Sequence, residues 1–314
     1  VSTTTPTSGS AKAVTRRGDR IFSGLSVGSG ILILATLAAV AAFLVYMAMP
    51  AVTADSTDVR GGEGLPSYVA PLIFGTLYSS IIALLIAMPL SIGIALFITH
   101  YAPRRLAAGL GYVIDLLAAV PSIIFGLWGL QIAGNAVPAF GWLNRNLGWF
   151  PPFGGDVTVT GRTMLMIGIV LAIMILPIMT AVNREVFLQT PRLHEEASLA
   201  LGATRWEMIR QAVIPFGKSG VISGAMLGLG RALGETMAVA IVLSASGSVI
   251  SWELLSSNAS GTIAGDIALN FPESFGVERS TLFVSGLALF AVTLLVNIFA
   301  RWIISRRSEF SGAN

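Results

Sequence analysis

Long uncharged runs separated by short polar segments dominate the chain, and their lengths set the first expectation. A bilayer core about 30 Å thick takes roughly 20 helical residues to cross. The first run lies between Arg20 and Asp55, with a helix expected over 24–49. A second helix is expected over 72–99, and a third over 107–133 that carries one acid, Asp115. Arg162 and Arg184 enclose 21 uncharged residues for the fourth, and Arg279 and Arg301 enclose another 21 for the sixth. The fifth, over 219–247, contains Arg231 and Glu235. The pattern predicts an all-α integral membrane protein with about six transmembrane helices. Pro89, Pro121 and Pro177 fall within spans two, three and four, where each removes a backbone donor and permits a kink.

Composition agrees. The sequence is 54% hydrophobic and 11% charged with a mean hydropathy of +0.80, whereas a soluble domain carries about 25% charged residues. There are no cysteines, which excludes disulfides, thiol nucleophiles and thiolate metal sites. The two histidines, His100 and His194, stand far apart and make a poor start for a metal centre. No catalytic or metal-ligating constellation is expected on this chain.

The net charge of +3 resolves into a sorted pattern that sets an orientation. With the N-terminus in the cytoplasm, one side holds Lys12, Arg16, Arg17 and Arg20, then Arg104 and Arg105. The same side holds Arg184, Arg192, Arg205, Arg210 and Lys218, and finally Arg301, Arg306 and Arg307. The other side holds only Arg60, Arg145, Arg162 and Arg279. Both termini are therefore expected in the cytoplasm of a multi-pass plasma-membrane protein. The polar residues 1–20 read as a disordered tail, 21–307 as the six-span domain, and 308–314 as a second cytoplasmic tail. Val52-Thr53-Ala54 would suit a signal peptidase, but the preceding apolar run is longer than a signal core, so an uncleaved anchor is expected. Trp142, Trp149 and Phe150, beside Pro151 and Pro152, fit an aromatic belt at the membrane interface.

The segment QTPRLHEEASLALGATRWEMIRQAVIPF between spans four and five is too polar for the membrane and too patterned for a linker. Thr190 is expected to cap a helix with Pro191 at its first position, running over 191–201 and ending at Gly202. Thr204 and Glu207 have capping-box spacing for a second short helix that Pro215 closes. Such an elbow could lie on lipid headgroups through Leu199, Met208 and Ile209, or act as a DNA-reading helix-turn-helix, although its place between two spans argues against DNA. Glu196-Ala197-Ser198, three residues, Gly202, and then Ala212-Val213-Ile214-Pro215 resembles the cytoplasmic loop E-A-A-x₃-G-x₉-I-x-L-P of ABC importer permeases. Ser198, Ala212 and Ile214 depart mildly from that pattern. The resemblance implies the fold of type I ABC importer permeases and a coupling helix that docks on a separate ATPase. Glu196, Ala197, Ser198, Gly202, Ile214 and Pro215 would be the coupling residues. Gly217-Lys218-Ser219 looks like the end of a phosphate-binding loop, but Ala212 stands where its first glycine belongs and no strand precedes it. ATP and Mg are thus expected on the partner rather than here.

Charged residues at the centre of a span are costly, roughly 2.5–3.5 kcal/mol each on insertion scales, and usually mark a pathway. Arg231 and Glu235 stand four apart in the fifth span and are therefore expected to share one helix face. They could simply neutralise one another; in the functional reading, the permanently charged fork of Arg231 receives an oxyanion while Glu235 holds it between passages. Gly230 to Val239, GRALGETMAV, and Pro121 to Gly129, PSIIFGLWG, are similar to the helix-five and helix-three signatures of the PstC family of phosphate-importer permeases. That resemblance implies a substrate pathway including Arg231, Glu235 and Thr236. It also implies a PstA-type sister permease, a PstB-type ATPase dimer, an external PstS-type phosphate-binding protein, inorganic phosphate, and a lipid rather than nucleic-acid setting. A permease for another oxyanion would share the elbow. An ion-coupled secondary transporter would share the intramembrane charges without needing the elbow, and a non-transporting membrane scaffold would need neither.

Overall fold

A computed structural model describes residues 17–62, 64–243, 249–256, 258 and 260–308, and every regular element in them is helical. In chain order these are α1 (Arg17–Thr53), α2 (Leu65–Leu96), α3 (Arg104–Ala118), α4 (Ser122–Leu147), α5 (Met164–Leu188) and α6 (Arg192–Ala200). Then follow α7 (Arg205–Met208), α8 (Ile214–Leu233), α9 (Met237–Leu243), α10 (Ile263–Asn270) and α11 (Gly276–Ser308). Single π-helical stretches, Phe97–Tyr101 and Ile209–Val213, prolong α2 and join α7 to α8. Six helices are long and apolar enough to cross a membrane: Gly18–Thr53, Leu65–Tyr101, Ser122–Leu147, Met164–Leu188, Arg205–Leu233 and Gly276–Trp302.

The chain divides into two compact units, Val1–Tyr46 and Met47–Asn314. The first contains most of α1, whose large side chains, such as Ile31, Leu32, Ile33 and Leu34, are exposed in succession around the helix. A helix apolar on all sides matches hydrocarbon rather than water. Its hydroxyls are satisfied internally, Ser29 donating to Leu25 O at 2.8 Å and Thr36 to Leu32 O at 2.9 Å.

The second unit is built around α5. Ile167, Val170, Leu171, Ile175 and Met179 on this helix are completely buried, because α2, α4, α8 and α9 all pack on it. Lipid is as apolar as these side chains, so tight packing rather than water exclusion must hold the helices together. The sequence supplies small residues for that purpose. Gly217, Gly220, Gly224 and Gly228 line the face of α8 toward α5, where added β-carbons would fall 2.8, 2.3, 3.1 and 2.8 Å from Phe187, Val186, Asn183 and Met179. Buried Thr76, Ser79, Ser80 and Thr180 each donate to a carbonyl one turn earlier, so these four hydroxyls are satisfied within their own helices.

Polar contacts mark the two ends of the bundle. At the start of α2, Tyr68 donates to Asp266 of α10, and Arg60 donates to Asn270 at 2.6 Å. At its far end, His100 meets Glu195 of α6. Successive connections therefore alternate between ends.

Several boundaries differ from those the hydropathy implied. The expected third span is two helices: α3 is amphipathic, the chain bends at Ala119–Pro121, and the crossing helix is α4. Asp115 sits on α3, exposed and outside the spans. Pro121 does not kink a helix; it occupies the N-cap position of α4. The fifth span begins earlier, at Arg205, and ends at Leu233 rather than running through 219–247, and 244–247 lie outside the described residues. Residues 17–20, placed in the N-terminal tail by their polarity, already belong to α1, and 1–16 are not described. Ser308 ends α11, and the rest of the expected C-terminal tail, 309–314, is likewise not described. Helices α2 and α5 run without interruption through Pro89 and Pro177.

Candidate functional site

Two places where a helix is broken carry the residues singled out by sequence. The first is between α8 and α9. Gly234 ends α8 at a C-cap, and its N–H reaches Gly230 O at 3.3 Å. Arg231 therefore lies in the last turn of α8, while Glu235 and Thr236 lie beyond that helix. The expectation of one shared helix face fails here, and no ion pair within 4.0 Å joins Arg231 to Glu235. Glu235 is buried and turns instead to the next helix, accepting from Ala238 N at 3.2 Å as an N-terminal cap of α9. The carboxylate thus serves one orphan amide of α9, that of Ala238, and does not reach the guanidinium within 4.0 Å.

Arg231 is half-buried, and its Nε is fully shielded from solvent with no hydrogen-bond partner. An unsatisfied donor on a permanent cation is unfavourable by several kcal/mol unless something accepts from it. Thr236, also half-buried, uses its hydroxyl on Gly234 O at 3.2 Å. Among these three residues, only Arg231 presents a buried donor atom that remains free, and a tetrahedral oxyanion is the acceptor that its planar fork suits best.

Tertiary packing brings the two signature strings together. Gly126 of α4 lies against Ala238 of α9, so that a β-carbon there would stand 2.8 Å from Ala238 Cα. One turn on, Gly129 faces Val170 of α5 and Val242 of α9 at 2.5 and 3.4 Å. The PSIIFGLWG segment is thereby the seat on which α9, and with it the Glu235 cap, rests. The sequence hinted at this only through the glycine spacing.

The second broken place is the elbow. Helix α6 covers Arg192–Ala200, with Pro191 at its N-cap rather than Thr190, one residue later than expected. Gly202 has φ of +88°, a conformation natural to glycine, and closes the helix with two bonds. Ala203 N donates to Ser198 O at 3.3 Å, and Gly202 N donates to Leu199 O at 3.0 Å. The capping box forms as anticipated: Thr204 N donates to Glu207 Oε2 at 2.8 Å, and Glu207 N to Thr204 Oγ1 at 3.3 Å. Pro215, however, does not close the second helix. It sits in the first turn of α8, and α7, the π turn and α8 form one continuous crossing. Gly217-Lys218-Ser219 is helical within α8.

Glu196 and Ala197 are exposed and Ser198 is half-exposed. Around them Leu193, Leu201 and Trp206 stand 76%, 91% and 56% exposed, an apolar surface on an otherwise polar elbow. Ile214 packs toward a buried cluster of Leu96, Phe187, Met208, Ile209 and Val213, which ties the elbow to the ends of α2 and α5.

Known proteins carry the same architecture. The family model described as "Binding-protein-dependent transport system inner membrane component" matches residues 91–309. The phosphate transport system permease protein PstC 2 of Mycobacterium tuberculosis is 45% identical over 300 residues, covering 92% of each chain. PstC of Mycobacterium leprae is 44% identical over 94% of this chain and 95% of its own. The chain belongs to the PstC family of ABC importer permeases. In fold it also resembles a methionine ABC transporter in an inward-facing form, with a TM-score of 0.55 at 14% identity over 76% of this chain and 95% of that one. A bacterial importer of the polysaccharide alginate gives 0.51 at 16% identity over 91% and 99%. As a PstC-family member, this chain is a multi-pass transport subunit with the type I importer permease fold. Such a permease works within an assembly with ATPase and permease partners.

Proposed function

We propose that this chain is the permease subunit of an ATP-driven importer of inorganic phosphate, with Arg231 as the anion-contacting group of its half of the pathway. The reading rests above all on the buried, unpartnered Nε of Arg231 at the break between α8 and α9. A phosphate oxygen reaching that atom would satisfy it, and release toward the cytoplasm would leave it bare again. Thr236 lies beside the break as a second pathway residue, and Glu235 holds α9 in place there. The exposed surface of the elbow from Leu193 to Trp206, including Glu196, Ala197, Ser198 and Gly202, would meet a PstB-type ATPase dimer. Ile214 and Pro215 would carry that contact into α8. ATP and Mg belong to the ATPase in this reading, and this chain performs no covalent chemistry. A PstA-type permease supplies the other half of the pathway, and an external PstS-type protein delivers phosphate. Both termini and the elbow face the cytoplasm, as the sorted lysines and arginines favour.

Phosphate uptake into proteoliposomes holding the purified complex tests the assignment, with ATP inside and the binding protein outside. ATP-dependent accumulation is expected in the wild type and its loss in assembled Arg231→Ala. Transport of sulfate or molybdate in preference to phosphate would overturn the substrate while sparing the ABC importer assignment. Wild-type uptake by Arg231→Ala would overturn the role of the arginine.

A further inference from the structure

Helix α6 buries none of its own side chains, whereas α7 and the π turn after it join the buried cluster at the ends of α2 and α5, so polar contacts are what seat α6 itself. Among the described residues, its two side-chain bonds to other elements both end on π-helical turns. Glu195 Oε1 lies 3.5 Å from His100 Nε2, in the π turn that completes the α2 crossing. Ser198 Oγ donates to Gln211 Oε1 at 3.4 Å, in the π turn that leads into α8. One short helix therefore hangs from the ends of two membrane crossings.

The histidine is well placed for such a mount. A carboxylate only accepts, so Nε2 carries a hydrogen in this arrangement. On the other side of the ring, Nδ1 is 2.6 Å from Thr99 Oγ1, which itself lies 2.9 Å from Ala95 O in the last turns of α2. The ring is thus wedged between the backbone of α2 and the carboxylate of α6. The two side chains are 10% and 24% exposed, so water competes for this contact less than it would on the open surface. At 3.5 Å the contact is long for a hydrogen bond, one that a small displacement of α6 would tighten or break. Both π turns carry the widened five-residue bond, Ala102 N to Phe97 O at 2.8 Å and Ile214 N to Ile209 O. Such turns are register defects, frequent at functional sites, where a helix end can shift without melting.

We propose that His100 and Glu195 form a positioning strut that passes movement of α6 to the cytoplasmic end of the α2 crossing, in parallel with the Ser198–Gln211 link to α8. The inference rests on the reading of the elbow as the ATPase contact. With the strut intact, a displacement of α6 pushes the imidazole against Thr99 and shifts α2 against α5. Without it, α6 can pivot at Gly202 while α2 stays in place, and hydrolysis proceeds without a matching opening of the pathway. The coupling ratio, not assembly, is therefore the sensitive quantity.

The experiment uses the reconstituted complex and measures phosphate moved per ATP hydrolysed. Wild type is compared with His100→Ala, Glu195→Ala, the double variant, and His100→Gln, whose amide still donates. The ratio is expected to fall about fivefold in each single alanine variant and no further in the double, the signature of one shared interaction. His100→Gln is expected to stay within about twofold of wild type. Because the chain has no cysteine, Leu201→Cys, at a side chain 91% exposed, supplies a single site for crosslinking to the ATPase. A retained crosslink with an unchanged ratio in His100→Ala, or single effects that multiply in the double variant, would overturn the strut alone. No crosslink in the otherwise wild-type chain would overturn the elbow reading and the strut with it.

Discussion

The two helix breaks, at Gly202 and at Gly234, solve the same physical problem by opposite means. Both must end one helix, start another and leave no backbone group without a partner. At Gly202 every solution is local: a positive φ, two closing bonds from Gly202 and Ala203, and a capping box three residues wide. Nothing lies within 4 Å of where a side chain on Gly202 would begin. At Gly234 the solution is tertiary. Glu235 caps α9 from a buried position, and α9 is held by the close approach of Gly126 on a helix more than a hundred residues away. A break in solvent can draw on water and neighbouring side chains, whereas one inside the membrane must be completed by packed protein. This contrast matters for function. The elbow keeps an exposed apolar surface, and the break at Gly234 leaves one shielded donor, Arg231 Nε, without a partner.

The sharpest way to break the comparison is at Arg231. Arg231→Ala should lower phosphate uptake by roughly 10–100-fold, the worth of a charge-assisted hydrogen bond. Arg231→Lys should recover little of it, since a point charge does not replace the planar fork. Uptake kinetics at saturating binding protein would read both.

Overpacking comes next. Gly126→Ala drives a β-carbon to 2.8 Å from backbone of α9 and should destabilise the purified complex by about 1–3 kcal/mol, seen as a lowered melting temperature in detergent. Gly202→Ala meets no neighbour and should be destabilising by only about 1–2 kcal/mol, through its left-handed backbone. Equal losses at the two glycines would erase the distinction between a packed and a free break.

The caps give the smallest and most diagnostic effects. Glu235→Ala should lose about 1 kcal/mol of stability, while Glu235→Gln keeps an acceptor for Ala238 N and most of that stability. Uptake that survives in Glu235→Gln would support a capping role; uptake lost equally in both would return the carboxylate to the pathway. Thr204→Ala, at the exposed capping box, should change stability by about 1 kcal/mol or less and show itself in weaker stimulation of the ATPase.

What the sequence determined by itself follows from interactions that are short in range. Uncharged runs of sufficient length dictated six membrane crossings, because each helix satisfies its own backbone. Thr204, Glu207 and Gly202 dictated the turn of the elbow, because capping acts over three or four residues. The arginine was also visible, since a charge in an apolar run stands out whatever surrounds it. Tertiary structure decided the rest. Hydropathy could not tell that 104–118 forms a separate amphipathic helix, because the apolar run continues across the bend at Ala119–Pro121. Nor could spacing tell that Arg231 and Glu235 part company, because Gly234 is compatible with a helix and ends one only where Gly126 and Ala238 bring α4 and α9 together. The meeting of His100 with Glu195, across 95 positions of sequence, left no local signal. Contacts between distant segments depend on how whole helices pack, and that packing is set by the complete pattern of small and large side chains rather than by any one motif.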